Sequence, residues 1–332
     1  MKMNKTTWII IAVVAVVVLA LVLVLCLPKN GGETPGGENP PAETEYLLSI
    51  AVDSAFDSDD QEQSNVACAI VFDKDGKIVK AAFDSFATKF GYNSGALVTV
   101  ERITTKYELG ESYGGTAVPE YLQMGSGSWQ KQADAFVTAI IGKTAAEVKA
   151  MGATVAGCTM PNTTPIFVAL VEEAYNYERK VSFKTADDIK LGFTIEASLD
   201  GTAESASVAS DYAAVVFADG KSVAAMLDSA ENIYTLTIAG EGENKSFVAA
   251  PSTKYDEIYK GTKNEQGDDY NMVAWGGACA EWYAQAQYYA DTTVGKTAAG
   301  IAELSTDKVI GSCTITVDSY KVALIAATAK IK

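Results

Sequence analysis

The chain contains no histidine. That absence removes the usual general base, the usual triad partner and the commonest metal ligand, so hydrolytic chemistry of the familiar kinds is not expected. Basic residues are scarce as well: 26 lysines and arginines stand against 42 aspartates and glutamates, and they form no cluster that would follow a phosphate backbone. Nucleic acid is not an expected partner. Cysteine is sparse, with five in all and no Cys-x-x-Cys pair, which leaves no zinc or iron-sulfur ligand set. Cys26 lies in an apolar run, while Cys68, Cys158, Cys279 and Cys313 are an even number that leaves disulfides open in an oxidising compartment. They are far apart in sequence, and Cys68 sits inside a strand pattern, so buried free thiols are the expectation.

What the chain does have is apolar mass. Of its 332 residues 48% are hydrophobic and 20% charged, enough for a real core and about two domains. Residues 8–27 are an unbroken apolar run, sufficient to cross a bilayer as a helix of roughly 30 Å. Lys2 and Lys5 precede it and an acidic, glycine- and proline-rich spacer follows, so residues 1–7 are expected in the cytoplasm and the bulk outside. The run lacks a small-residue cleavage pattern, which predicts a retained single-pass anchor. Residues 28–45 read as a flexible linker holding the rest off the membrane.

Beyond the linker the sequence repeats its landmarks in order. Strand-like runs at 46–52 and 191–197 are each followed by a polar loop, and those at 66–72 and 212–217 enter Asp75-Gly76 and Asp219-Gly220, with returning strands at 78–83 and 223–227. Aspartate-glycine between apolar runs is a hairpin signal, since glycine supplies the positive φ of a tight turn. Thr105-Lys106-Tyr107 and Thr253-Lys254-Tyr255 come next, then loops at 110–115 and 259–270 rich in glycine and tyrosine, and helices entered at Trp129 and Trp282. Both helices lead to the same pentapeptide, Gly142-Lys143-Thr144-Ala145-Ala146 and Gly295-Lys296-Thr297-Ala298-Ala299.

Gly-Lys-Thr does not make a phosphate loop here. The glycine required five residues earlier is replaced by Val137 and Ala290. Capping explains the tripeptide: Gly142 closes one helix in a left-handed turn and Thr144 with Glu147 opens the next, as do Gly295 and Thr297, with Gly300 in place of the glutamate. Each block then ends on a cysteine-threonine pair, Gly157-Cys158-Thr159 and Ser312-Cys313-Thr314, a few residues before a last helix. The helices are expected from Thr163 to about Tyr175 and from Tyr320 to about Lys330, the second capped by Asp318 or Ser319. The unpaired amides and dipole of a helix N-terminus suit an anion, so Thr159 and Thr314 are placed to carry a phosphate ester. As plain structure the same threonines are turn residues, Cys158 and Cys313 small buried fillers, and Trp129 and Trp282 core residues.

This order of hairpin, Thr-Lys-Tyr, tyrosine-glycine loop, tryptophan-started helix, Gly-Lys-Thr and terminal threonine resembles the FMN-binding domain of Rnf complexes and of sodium-pumping NADH:quinone oxidoreductase, also found in surface flavoproteins of Gram-positive bacteria. The resemblance covers residues 46–332, once per block. It implies that a flavin transferase joins FMN through its phosphate to a threonine hydroxyl, which falls on Thr159 and Thr314. The family's Ser-Gly-Ala-Thr becomes Ala156-Gly157-Cys158-Thr159 and Gly311-Ser312-Cys313-Thr314, so cysteine stands for alanine twice and serine for glycine in the second block. Asp307 is near the family's upstream aspartate, and Ala153 and Thr154 stand there in the first block. Tyr107, Tyr113, Tyr255 and Tyr270 are candidates to face a flavin ring.

The expected fold is α+β: two repeated domains, at 46–185 and 186–332, each an antiparallel sheet with packed helices, behind a transmembrane helix. The expected function is extracellular electron transfer, with covalent FMN in each block passing electrons from a membrane quinol-oxidising donor to an external acceptor. An electron carrier is favoured over a substrate-specific oxidoreductase, because no substrate site is marked. The alternative is a cofactor-free cell-surface adhesion module displaying the polar stretches 54–64 and 261–269.

Overall fold

Long strands form where apolar residues run without a break, because a strand covered on both faces needs no polar alternation. The computed structural model describes residues 42–252, 261–307 and 314–332. The apolar run at 8–27, Cys26, nearly all of the linker, Thr253-Lys254-Tyr255, Ser312 and Cys313 therefore lie outside the described residues. Among the described residues no helix is long and apolar enough to cross a membrane.

The chain begins with β1 (Thr44–Asp57), β2 (Glu62–Asp73) and β3 (Ile78–Lys89), then short β4 (Tyr92–Asn93), β5 (Ala96–Leu97) and β6 (Val100–Ile103). Helices α1 (Lys106–Leu109), α2 (Trp129–Ile140), α3 (Ala145–Met151) and α4 (Thr163–Asn176) follow. The second half opens with β7 (Val181–Thr185), β8 (Ile189–Gly201), β9 (Ser205–Ala218), β10 (Lys221–Ala239) and β11 (Ser246–Pro251). It closes with α5 (Lys263–Gln266), α6 (Met272–Gly276), α7 (Trp282–Asp291), α8 (Ala298–Ala302) and α9 (Asp318–Ala329).

Two large antiparallel sheets result, in the orders β3-β2-β1-β7 and β11-β10-β9-β8-β6, beside a two-stranded pair of β4 and β5. The fold is thus α+β with antiparallel sheets and packed helices. Alternation along the central strands shows how the layers stack. On β2, Ala67, Ala69 and Val71 join Ala214, Val216 and Ala218 of β9 in one core between the sheets. Their neighbours Cys68, Ile70 and Phe72 face the other way, against α2, α3 and α4, and Ala213, Val215 and Phe217 likewise meet α7, α8 and α9. Helices, sheet, sheet and helices form four layers, with β3 lying against β8 and β1 against β10. β6 crosses over, since it precedes α1 yet pairs with β8 of the second sheet.

Both hairpins form at their Asp-Gly turns. Asp219 and Gly220 have φ of 47° and 73°, the pair of left-handed residues that a two-residue type I′ turn requires. At the other, Asp73 Oδ1 accepts the amides of Asp75 and Lys77 at 2.9 Å, with Gly76 at φ 76°. The strands run well past the expected bounds, however. β1 and β2 absorb most of the polar stretch 54–64, leaving only a short turn, and α5 occupies much of 261–269. Ser54, Asp57 and Ser64 are strand-pairing residues, and Ser58, Asp59 and Asp60 form the turn.

Polar groups pin the layers to each other. Within the inter-sheet core the Asn65 amide donates to the Tyr212 hydroxyl at 2.6 Å, Tyr212 and Ser210 share a bond of 2.8 Å, and the Tyr234 hydroxyl donates to Gln63. Tyr212→Phe removes the shared oxygen and strands a buried amide. It is expected to cost about 1–3 kcal/mol in urea denaturation.

Two buried aspartates hold α1 and α5 in the same way. Asp84 Oδ1 accepts the amides of Ser85 at 2.7 Å and Tyr107 at 3.1 Å, and Asp228 Oδ1 those of Ser229 at 2.7 Å and Asn264 at 3.1 Å. Burial pushes both carboxyls up to about 7, against the opposing Lys330 ammonium at Asp84 and the Thr262 hydroxyl at Asp228. Their folded values lie above the ordinary 3.8, so the folded chain holds these protons longer than the unfolded chain. Stability contributed by the protonated forms is therefore lost as pH climbs from about 4 to about 7. Asp84→Asn or Asp228→Asn is expected to flatten the fall of the urea midpoint across that window; slopes equal to wild type in both variants would contradict it.

Candidate functional site

Thr159 lies in the connection from α3 to α4. The segment 155–158 is a tight turn in which the Cys158 amide donates to the Val155 carbonyl at 3.0 Å. Gly157 sits in it at φ 78°, and a Cβ there would stand 3.0 Å from the Ala135 Cβ on α2. Conformation and space both require glycine at this position. Cys158 is buried, its sulfur 3.2 Å from the Thr164 hydroxyl, which in turn donates to the Met160 carbonyl at 2.8 Å. The alternation turns Thr159 outward, and its side chain is exposed.

A glutamine clamps this threonine. Gln132, fully buried on α2, accepts the Thr159 amide on Oε1 at 2.8 Å and the Thr159 hydroxyl at 3.3 Å. Its Nε2 donates to the Gly127 carbonyl at 2.8 Å, and that bond settles which end of the amide is oxygen. Thr159 Oγ1 also lies 3.0 Å from Ser126 Oγ, and its single proton serves either this oxygen or Gln132 Oε1.

The second threonine is held alike. Gln285 on α7 accepts the Thr314 amide at 2.6 Å and hydroxyl at 3.2 Å, while its Nε2 donates to the Ala280 carbonyl at 2.7 Å. Gln285 also accepts the Ile315 amide at 3.3 Å, and Thr314 too is exposed. Each glutamine stands three residues after a buried tryptophan, Trp129 or Trp282, that roots its helix in the core. Trp129 packs edge-on to Phe167 at 5.6 Å and Trp282 to Tyr320 at 5.6 Å. The Trp282 indole donates to the Tyr320 hydroxyl at 3.2 Å, whereas the buried Trp129 indole N–H has no protein partner.

The helices after the threonines start as expected, apart from a shift of the second to Asp318 with Val317 at the cap. Asn162 precedes α4 without capping it by its side chain; the Thr164 amide instead donates to the Met160 carbonyl at 2.9 Å, and Pro165 in the first turn has no amide proton. Thr144 caps α3 in a reciprocal box with Glu147, Thr297 caps α8, and Gly142 and Gly295 adopt φ of 80° and 79°. The Gly-Lys-Thr tripeptides are helix junctions.

The tyrosines divide. Tyr107 turns to the other side of α2, its hydroxyl 2.9 Å from Asp134, and is not brought to Thr159. Tyr113 lies under Lys106 at 5.3 Å and Tyr270 under Lys263 at 5.6 Å; Tyr255 lies outside the described residues. The counterpart of Thr105-Lys106-Tyr107 is moreover not Thr253-Lys254-Tyr255. Thr105 with Glu108 and Thr262 with Glu265 form identical capping boxes, and each short helix ends on a glycine of φ near 50°, Gly110 at 51° and Gly267 at 54°. The loop after Gly110 is fastened by Glu111, whose carboxyl Lys131 and Thr116 hold well below the usual range, at about 2.

Gln132 and Gln285, which hold the two threonines, are candidate site residues that no sequence motif named above marks. Their signal was present, since a glutamine at the same offset from both tryptophans interrupts the apolar stripe of each helix. Comparison with protein-family models, with curated proteins and with solved structures gave no match.

Gln132→Leu deprives the Thr159 amide and the Gly127 carbonyl of their partners. It is expected to destabilise by about 1–3 kcal/mol and to speed hydrogen exchange at the Thr159 amide, with Gln285→Leu doing the same at Thr314.

Proposed function

We propose that this chain is a membrane-anchored extracytoplasmic flavoprotein of two duplicated FMN-binding-like domains, with FMN esterified through its phosphate to Thr159 and, less favourably, to Thr314. The observation that carries this reading is the glutamine clamp occurring twice on an exposed threonine hydroxyl just ahead of a helix. A transferase needs such a hydroxyl presented on a fixed backbone. The sequence resemblance supplies the cofactor's identity.

The residues at Thr159 fit an ester. Once esterified, Oγ1 has no proton to give, so Gln132 keeps only the Thr159 amide and the Ser126 hydroxyl is free to turn and donate to the ester oxygen. The dipole at the start of α4 favours the phosphate charge. At Thr314 the position equivalent to Ser126, three residues before the tryptophan, is Cys279, a weaker donor, and Ser312 replaces the turn glycine. Bound FMN would supply reversible electron transfer, and the protein its position and electrostatics. The donor would be a quinol-oxidising membrane system and the acceptor external. In the adhesion alternative, the part of 54–64 outside strands is the turn at 58–61, and α5 starts at Lys263 within 261–269.

The test is the mass of the denatured chain after co-expression with a flavin transferase. Thr159 is expected to carry FMN in wild type and Thr159→Val to lose it; an unmodified wild-type chain would overturn the proposal.

A further inference from the structure

A cavity of about 260 Å³ opens between β3, α2, β8 and the end of the chain, on the side of α2 away from Thr159. Its floor is made of small side chains, Ala82 on β3 and Ala133 on α2, and its walls of large ones, Phe83, Val137, Leu191 and Phe193. The last residue closes one side, since Lys332 exchanges both backbone bonds with Leu191, at 3.1 and 3.2 Å. A dry apolar cavity of about 150 Å³ is enough to bind benzene, so this one has room for a substituted ring.

Polar groups converge at two places. The Tyr107 hydroxyl is 2.9 Å from Asp134 Oδ1, and the Lys332 ammonium is 3.1 Å from the same oxygen and 4.3 Å from the centre of the Tyr107 ring. Deeper in, the Lys330 ammonium is engaged by Glu108 at 3.0 Å, Asp84 at 3.7 Å and the Thr194 hydroxyl at 2.9 Å. Lys330 and Lys332 each face a carboxylate, while Lys80, also in the lining, makes no ion pair among the described residues. The mostly apolar lining makes a charged ligand lose hydration, whereas a neutral hydroxyl or carbonyl can share the rim bonds.

The other half supplies an internal comparison. Asp84 and Asp228 make equivalent bonds, so Ala82 corresponds to Met226, which is buried. By the shared offset from Trp129 and Trp282, Asp134 corresponds to Gln287 and Val137 to Ala290. The matching cleft is wider and more polar, with Arg179, Lys180, Gln287 and Asp291 beside Met226 and Tyr283 in its lining. Only one of two equivalent seams combines an apolar lining with a small floor, which simple packing of the shared architecture does not require.

We propose that this cavity is a binding site for a neutral, single-ring apolar molecule bearing one hydroxyl or carbonyl, the chemical class of phenol. The site is independent of any flavin on Thr159. Saturation-transfer NMR of the purified full-length chain with phenol is expected to show saturable binding that benzoate does not displace. Ala82→Met, which installs the counterpart residue, is expected to fill the floor and weaken phenol binding by roughly tenfold or more without lowering the melting temperature. Val137→Phe, on the half-buried wall, gives the same loss should Ala82→Met fail to fold. Absence of saturable binding in wild type, or undiminished binding in the filled variants, overturns the proposal; displacement by benzoate overturns its neutral ligand class.

Discussion

The structure depends on one constraint: its central strands are apolar on both faces, and each face must be covered by something different. On β2 and β9 consecutive side chains enter different cores, so each sheet needs helices on one side and the other sheet on the other. Neither sheet with its helices alone would be covered, because Ala67, Ala69 and Val71 would meet water without Ala214, Val216 and Ala218. The hydrogen bonds among Asn65, Ser210 and Tyr212 then select one alignment of the sheets, since any slide would leave buried donors unmet.

From that frame the exposed threonines follow by short mechanical steps. A buried tryptophan roots a helix, the next turn of the helix carries a glutamine, and the glutamine takes both an amide and a hydroxyl from a threonine on the connection that follows. The same helix α2 serves two surfaces. Gln132 faces the threonine turn, while Ala133, Asp134 and Val137 face the cavity beneath the last residues of the chain. The aspartates at 84 and 228 add a third fastening by tying the short capped helices to the sheet edges.

How much of this was legible depends on range. The Asp-Gly turns, the capped Thr144 junction and the start of α4 all rest on interactions within a few residues, and those patterns read true. Thr253-Lys254-Tyr255 misled because three matching letters outweighed geometry. The capping requirement, a threonine followed three residues later by glutamate, picks out Thr105 and Thr262 instead. The polar stretch at 54–64 misled for a different reason: strand residues that pair at an edge are free to be polar, so their composition imitates a loop.

The sequence by itself determined where the Asp-Gly turns fall, that Thr144 caps a helix, and that an unbroken apolar run needs cover on both sides. Those are consequences of backbone conformation and of burial, which act locally. Only the tertiary structure decided that the cover is the second sheet, that β6 crosses to it, that Gln132 and Gln285 close on the threonines, and that Ala82 and Ala133 leave a space where Lys332 folds back. Each of these joins residues far apart in the chain, and their distance from one another is set by how four layers pack, a quantity no single stretch of residues carries.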